Sequence, residues 1–63
     1  MDTKLMTRKQ VEDRCGLARS TIYRMMESGS FPKPVRIGPK AVRWRSDEVE
    51  ALIAAWTAAR DER

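Results

Sequence analysis

GLARSTIYRMMESGSFP, residues Gly16 to Pro32, decides how this chain is read. Its middle has the period of a short helix, with Ala18, Ile22, Met25 and Met26 on one face. Ser20, Tyr23, Arg24 and Glu27 lie on the other face, and Arg19 stands at its start. Gly29 supplies a stop, so the spacing predicts a helix from about Arg19 to Ser28. So small a chain has few helices, and one with a cationic, hydroxyl-bearing face calls for a polar ligand.

Upstream, Thr7-Arg8-Lys9-Gln10 fits a capping box, with Thr7 as N-cap and Gln10 three residues on. Val11 and Cys15 recur at four-residue spacing, and Gly16 ends the pattern. A first helix is therefore expected over Arg8–Cys15, with Leu17 folding back onto the core. Two helices joined by Gly16-Leu17-Ala18 match a helix-turn-helix over residues 8–28. Met1 to Met6 show no strong pattern and are expected to fray, with Leu5 available to the core.

Downstream, Pro32 and Pro34 bar a helix and keep the chain extended. Val35-Arg36-Ile37 and Val42-Arg43-Trp44-Arg45 alternate apolar with basic, the period of a half-buried strand. Gly38-Pro39-Lys40-Ala41 joins them as a turn, with Pro39 suited to its second position. The expectation is a hairpin wing over residues 34–45, with Val35, Ile37, Val42 and Trp44 facing the core. Ser46 reads as the cap of a last helix over residues 47–59, with Asp47 and Glu48 in its first turn. Val49, Leu52, Ile53 and Trp56 form its apolar stripe, and fraying is expected from Arg60 onward. The fold class is mainly α with a small β-hairpin, a winged helix-turn-helix of order α-α-β-β-α, ordered over about residues 5–60.

Composition narrows the function. A length of 63 residues allows one domain with a thin core. Cys15 is the lone cysteine and histidine is absent, so neither a disulfide within the chain nor a zinc site is expected. Cys15 itself reads as a small buried hydrophobe. The longest apolar run is far short of a membrane span, and the expected setting is the reducing cytoplasm, on the nucleoid when bound to DNA. No cofactor is implied. Glu12-Asp13, Asp47-Glu48 and Asp61-Glu62 read as helix-surface charges, and so small a fold encloses little volume for acid–base chemistry, so no enzyme is expected.

Charge is distributed unevenly. Residues 1–45 hold eleven basic and four acidic residues, a net +7; residues 46–63 hold two basic and five acidic, a net −3. Positive charge gathered on the part that forms the helix-turn-helix and wing points to a polyanion. A helix fits the major groove of B-DNA, where base edges carry distinct donor and acceptor patterns, and its first residues enter deepest. Those residues here are Arg19, Ser20 and Thr21, then Tyr23 and Arg24 one turn on. The wing adds Lys33, Arg36, Lys40, Arg43 and Arg45, with Lys40 at the tip for the adjacent backbone or minor groove. Arg8 and Lys9, at the start of the first helix, are placed to anchor a phosphate with the amides there.

Several pieces in order carry a family resemblance: Arg19-Ser20-Thr21-Ile22-Tyr23-Arg24, Phe31-Pro32, Ile37-Gly38, and Val42-Arg43-Trp44 ahead of Ser46 and Glu48-Val49. From Thr7 to Trp56 the chain resembles the AlpA family of small phage-type transcriptional regulators, related in fold to MerR-like DNA-binding domains and phage excisionases. The resemblance implies a regulator of prophage or mobile-element genes that binds double-stranded DNA. One departure stands out: the family pattern usually has Ser where this chain has Ala18, removing a cap hydroxyl. Two other readings remain open. An excisionase, or recombination directionality factor, shares the fold and bends DNA for an integrase. A protein-binding inhibitor module instead uses the hydrophobic or acidic last helix. A second copy on DNA is implied by the small footprint of one module, and RNA polymerase is a further partner that regulation implies.

Overall fold

A reciprocal cap opens the first helix. The Gln10 amide donates to Thr7 Oγ1 at 3.1 Å, and the Thr7 amide donates to Gln10 Oε1 at 2.9 Å. The computed structural model describes residues 3–61 and has six elements. They are β1 (Leu5–Met6), α1 (Arg8–Cys15), α2 (Arg19–Glu27), β2 (Val35–Gly38), β3 (Ala41–Arg45) and α3 (Ser46–Asp61). Mainly helical, with a hairpin set after two helices, the chain is consistent with a winged helix-turn-helix; β1 is an addition to the expected order.

Both helix stops depend on glycine. Gly16 has φ 68° and its N–H donates to the Glu12 carbonyl at 2.8 Å; Gly29 has φ 81° after α2. These left-handed conformations disfavour a Cβ. Between the helices, Ala18 is the N-cap of α2 in extended conformation and makes no side-chain cap bond. The turn thus forms at the expected place while the α2 amides lack a capping oxygen from this side chain.

The core is small and centred on Trp44. Val11, Ile22, Trp44 and Val49 are fully buried and Phe31 nearly so, one residue each from α1, α2, β3, α3 and the segment that leads into β2. Met6, Cys15, Leu17, Met25, Met26, Val42, Leu52 and Ile53 pack around them. Cys15 is therefore half-buried rather than enclosed, and Phe31 is a core residue that proline spacing alone did not assign. Among the described residues, no helix is long and apolar enough to cross a membrane.

The sheet is antiparallel with order β1-β3-β2. Met6 pairs with Trp44 and Leu5 with Arg45, so Met6 shares the core face while Leu5 is 51% exposed. The expectation that Leu5 is the residue available to the core is corrected, since Met6 packs there instead; Met1 and Asp2 lie outside the described residues. Ser46 explains the order. Its amide donates to the Lys4 carbonyl and its hydroxyl accepts the Lys4 amide, both at 2.8 Å. The hydroxyl expected to cap α3 thus secures the strand at the chain's start instead, and Asp47 Oδ1 accepts the Glu48 amide at 2.8 Å.

Register overturns part of the expected wing. Val35 lies opposite Arg43 and Arg36 opposite Val42, and an irregularity separates Arg36 from Gly38. Directly paired residues share a face, so Val42 and Trp44 face inward while Val35 sides with Arg43. Val35 and Ile37 are 40% and 49% exposed, not core. Trp56 is likewise 39% exposed. At ~1.5 Å per residue α3 outruns the small body it packs on, and its stripe is covered at Val49, Leu52 and Ile53 but not beyond. The helix is assigned through Arg60 to Asp61, two residues past the expected bound of 59; Glu62 and Arg63 lie outside the described residues.

Candidate nucleic-acid interface

The polar face of α2 is set by its buried one. Ile22 is fully enclosed, with Met25 and Met26 packed beside it, so Arg19, Ser20 and Arg24 are turned outward and are exposed. Thr21 and Tyr23 flank that face and are half-buried. The Arg19 guanidinium carbon lies 5.6 Å from the centroid of the Tyr23 ring, one turn away. Such stacking, worth ~0.5–1 kcal/mol at exposed sites, restrains a flexible side chain while leaving its N–H edge open to an acceptor.

A groove of about 480 Å³ runs beside this helix, lined by Tyr23, Met26, Glu27, Lys33 and Pro34. The two prolines hold residues 32–34 extended, which carries Lys33 alongside the Tyr23 edge of α2. Helix and wing approach therefore meet at one groove, with Tyr23 and Lys33 on its walls. Glu27 is the acid among them.

The other basic residues divide by their partners. Among the described residues, no carboxylate lies within 4.0 Å of the charged nitrogens of Lys9, Arg19, Arg24, Lys33, Arg36, Lys40 or Arg43. Arg36 Nη2 approaches the Pro39 carbonyl at 3.4 Å and Arg43 Nη1 donates to the Val42 carbonyl at 2.8 Å, both within the hairpin. Pro39 and Lys40 form its two-residue turn. Arg8 and Arg45 differ. Arg8 Nε pairs with Glu12 Oε2 at 3.0 Å, and the capping box occupies the Gln10 amide beside it. Arg45 is held by Asp47 through Nε–Oδ1 at 3.1 Å and Nη2–Oδ2 at 2.8 Å. That fork pulls the Asp47 carboxyl below the usual carboxylate range, helped by the Glu48 amide. Each arginine therefore has its charge balanced by a carboxylate, while Arg8 keeps both Nη groups and Arg45 keeps Nη1 outside the pair.

A different pair joins two other helices. Arg14 grips Glu50 through two bonds of 2.7 and 2.6 Å, joining α1 to α3. No sequence pattern reports it, since the partners are far apart in the chain. Cys15, next to Arg14, has its thiol pushed up by partial burial, so it remains a protonated packing group at neutral pH.

The family described as "Prophage CP4-57 regulatory protein (AlpA)" matches residues 4–60. The chain belongs to the AlpA family. It is also similar to "Uncharacterized protein ORF88" of Enterobacteria phage P4, at 45% identity over 51 residues. That alignment covers 81% of this chain and 58% of the phage protein, so this chain spans little more than half the length of that relative. The AlpA match takes in every element described above, from the strand at Leu5–Met6 to nearly the end of α3, and its description is that of a regulatory protein.

Proposed function

We propose that this AlpA-family chain is a sequence-specific double-stranded DNA-binding regulator of transcription. In this reading α2 enters the major groove, led by Arg19, Ser20 and Thr21, with Tyr23 and Arg24 one turn on. The hairpin lies on the neighbouring backbone or minor groove through Lys33, Arg36, Lys40 and Arg43. The observation that supports it best is the exposed face of α2: Arg19 and Arg24 have no carboxylate partner among the described residues, and Tyr23 shares a groove with Lys33. Arginine can bridge O6 and N7 of guanine, and a tyrosine hydroxyl can meet a phosphate. Arg8 and Arg45 take a lesser part, because Glu12 and Asp47 already offset their charge.

Selection of bound duplexes from a random DNA library tests the reading. A recovered motif is expected, and Arg24→Ala or Arg19→Ala is expected to cost ~1–3 kcal/mol and relax preference at one position. Inverted half-sites in the recovered sequences indicate a twofold pair, and tandem copies a row of the kind an excisionase forms. A pool that never enriches contradicts sequence-specific binding.

A further inference from the structure

Ile37 leaves about half of an apolar side chain uncovered by the protein itself. It is 49% exposed, and Val35, Arg36 and Ile37 are all exposed along β2, so this edge of the wing stands clear of the core. The register breaks between Arg36 and Gly38, leaving Ile37 within the irregularity and without a directly paired residue on β3. Immediately beyond it, Pro39 and Lys40 form the tip. Arg36 precedes Ile37, Lys40 follows three residues on and Arg43 lies opposite Val35 two residues back, and none of the three has a carboxylate within 4.0 Å among the described residues.

This juxtaposition, one β-branched apolar side chain among unneutralised cations near a narrow tip, suits a particular surface. Cations that settle on the two phosphate walls of a DNA groove leave the side chain between them facing base-pair edges, where an apolar group can be buried. Isoleucine is among the residues that wedge between base steps from the minor groove, unstacking them and kinking the duplex. The other exposed apolar residues of the sheet fit less well. Val35 sits farther from the tip, and Leu5 pairs with Arg45, whose charge Asp47 already balances.

We infer that Ile37 is a minor-groove wedge, and that the chain bends the DNA it binds. The inference rests on the DNA-binding reading above and adds a mode to it: the wing distorts the duplex rather than only neutralising its backbone. Flexible pyrimidine–purine steps at the wing's position are then favoured by their low cost of kinking, without any base contact there.

The test uses a duplex selected as above, with dyes at its ends to report bending and 2-aminopurine beside the wing to report unstacking. The wild-type chain is expected to bend it by about 20–90° and to raise the 2-aminopurine emission. Ile37→Ser, checked for folding by circular dichroism, should keep affinity within about tenfold yet lose both signals at saturation. Ile37→Leu should retain them. Lys40→Ala should weaken binding but keep both signals once saturated. A bound duplex that stays straight and stacked overturns the wedge and leaves the regulator reading intact, as does an Ile37→Ser complex that bends like the wild type. A chain that binds no duplex removes both.

Discussion

The indole nitrogen of Trp44 donates to the Pro32 carbonyl at 3.0 Å, tying the end of the wing's second strand to the extended segment that leads into the wing. Trp44 is also the largest fully buried side chain. One residue thus fills the core, satisfies its own polar atom and fixes the path of residues 32–34, on which the position of Lys33 depends.

Trp44→Ala should cost ~3–5 kcal/mol. Against the ~5–15 kcal/mol that holds typical domains, with small ones at the low end, the variant is expected to be largely unfolded. Trp44→Phe keeps most of the volume and loses the bond to Pro32, whose net worth is ~1 kcal/mol. Urea unfolding followed by circular dichroism separates the two. Equal stability of the wild type and Trp44→Ala contradicts the placement of the core.

Ala18 is a vacant cap. Because it occupies the N-cap position in extended backbone without a side-chain bond, Ala18→Ser should add ~1 kcal/mol. For a domain of this size that raises Tm by ~4–8 °C. Thr7→Ala, which breaks an existing capping box, should lower stability by ~0.5–2 kcal/mol. A fall in Tm with Ala18→Ser means that α2 begins elsewhere.

Asp47 links stability to acid. Its carboxyl is depressed by the Arg45 fork, so the folded state holds its proton less readily than the unfolded chain. The resulting stability is present above the unfolded value near 3.8 and is lost as pH falls through the lower folded value. NMR titration of Asp47 in Arg45→Ala should show the carboxyl moving up toward its ordinary value, with a shallower loss of stability on acidification. An unmoved titration shows that Arg45 is not the cause.

In the proposed DNA-binding reading Tyr23 has two roles that substitution separates. Tyr23→Phe keeps a ring beneath Arg19 and removes the hydroxyl, whereas Tyr23→Ala removes both. Loss of affinity is expected for each, larger for alanine by the ~0.5–1 kcal/mol of the stacked pair. Binding assays on a selected duplex measure it, and equal losses assign the whole effect to the hydroxyl.

What the sequence discloses here depends on how local the cause is. α1 was legible to the residue because Thr7, Gln10 and Gly16 act within a few positions, and the start of α2 follows from Gly16 and the period of Ile22, Met25 and Met26. The turn at Pro39-Lys40 was legible for the same reason. The facing of the wing was not: alternation gives a period of two but no register, and the irregularity at Ile37 sets Val35 opposite Arg43. β1 has two residues, too few for any period, and exists through Trp44, Arg45 and the Ser46–Lys4 bonds. Trp56 continues a correct stripe past the end of the body, which periodicity cannot see. At the candidate interface, the exposed face of α2 was readable from helical spacing, while the Arg45–Asp47 and Arg8–Glu12 pairs that occupy two expected contacts emerge only from geometry.

The central claim is that α2 and the wing engage one duplex together, and the salt dependence of binding tests it most directly. With about five phosphates neutralised, log affinity should fall against log salt with a slope near −4 to −5. Arg24→Ala on the helix and Lys40→Ala on the wing are each expected to make that slope shallower by about 1 where the side chain meets a phosphate; if Arg24 reads a base, its loss appears as relaxed specificity instead. A flat wild-type response, or a wing whose substitution changes neither slope nor affinity, contradicts the account.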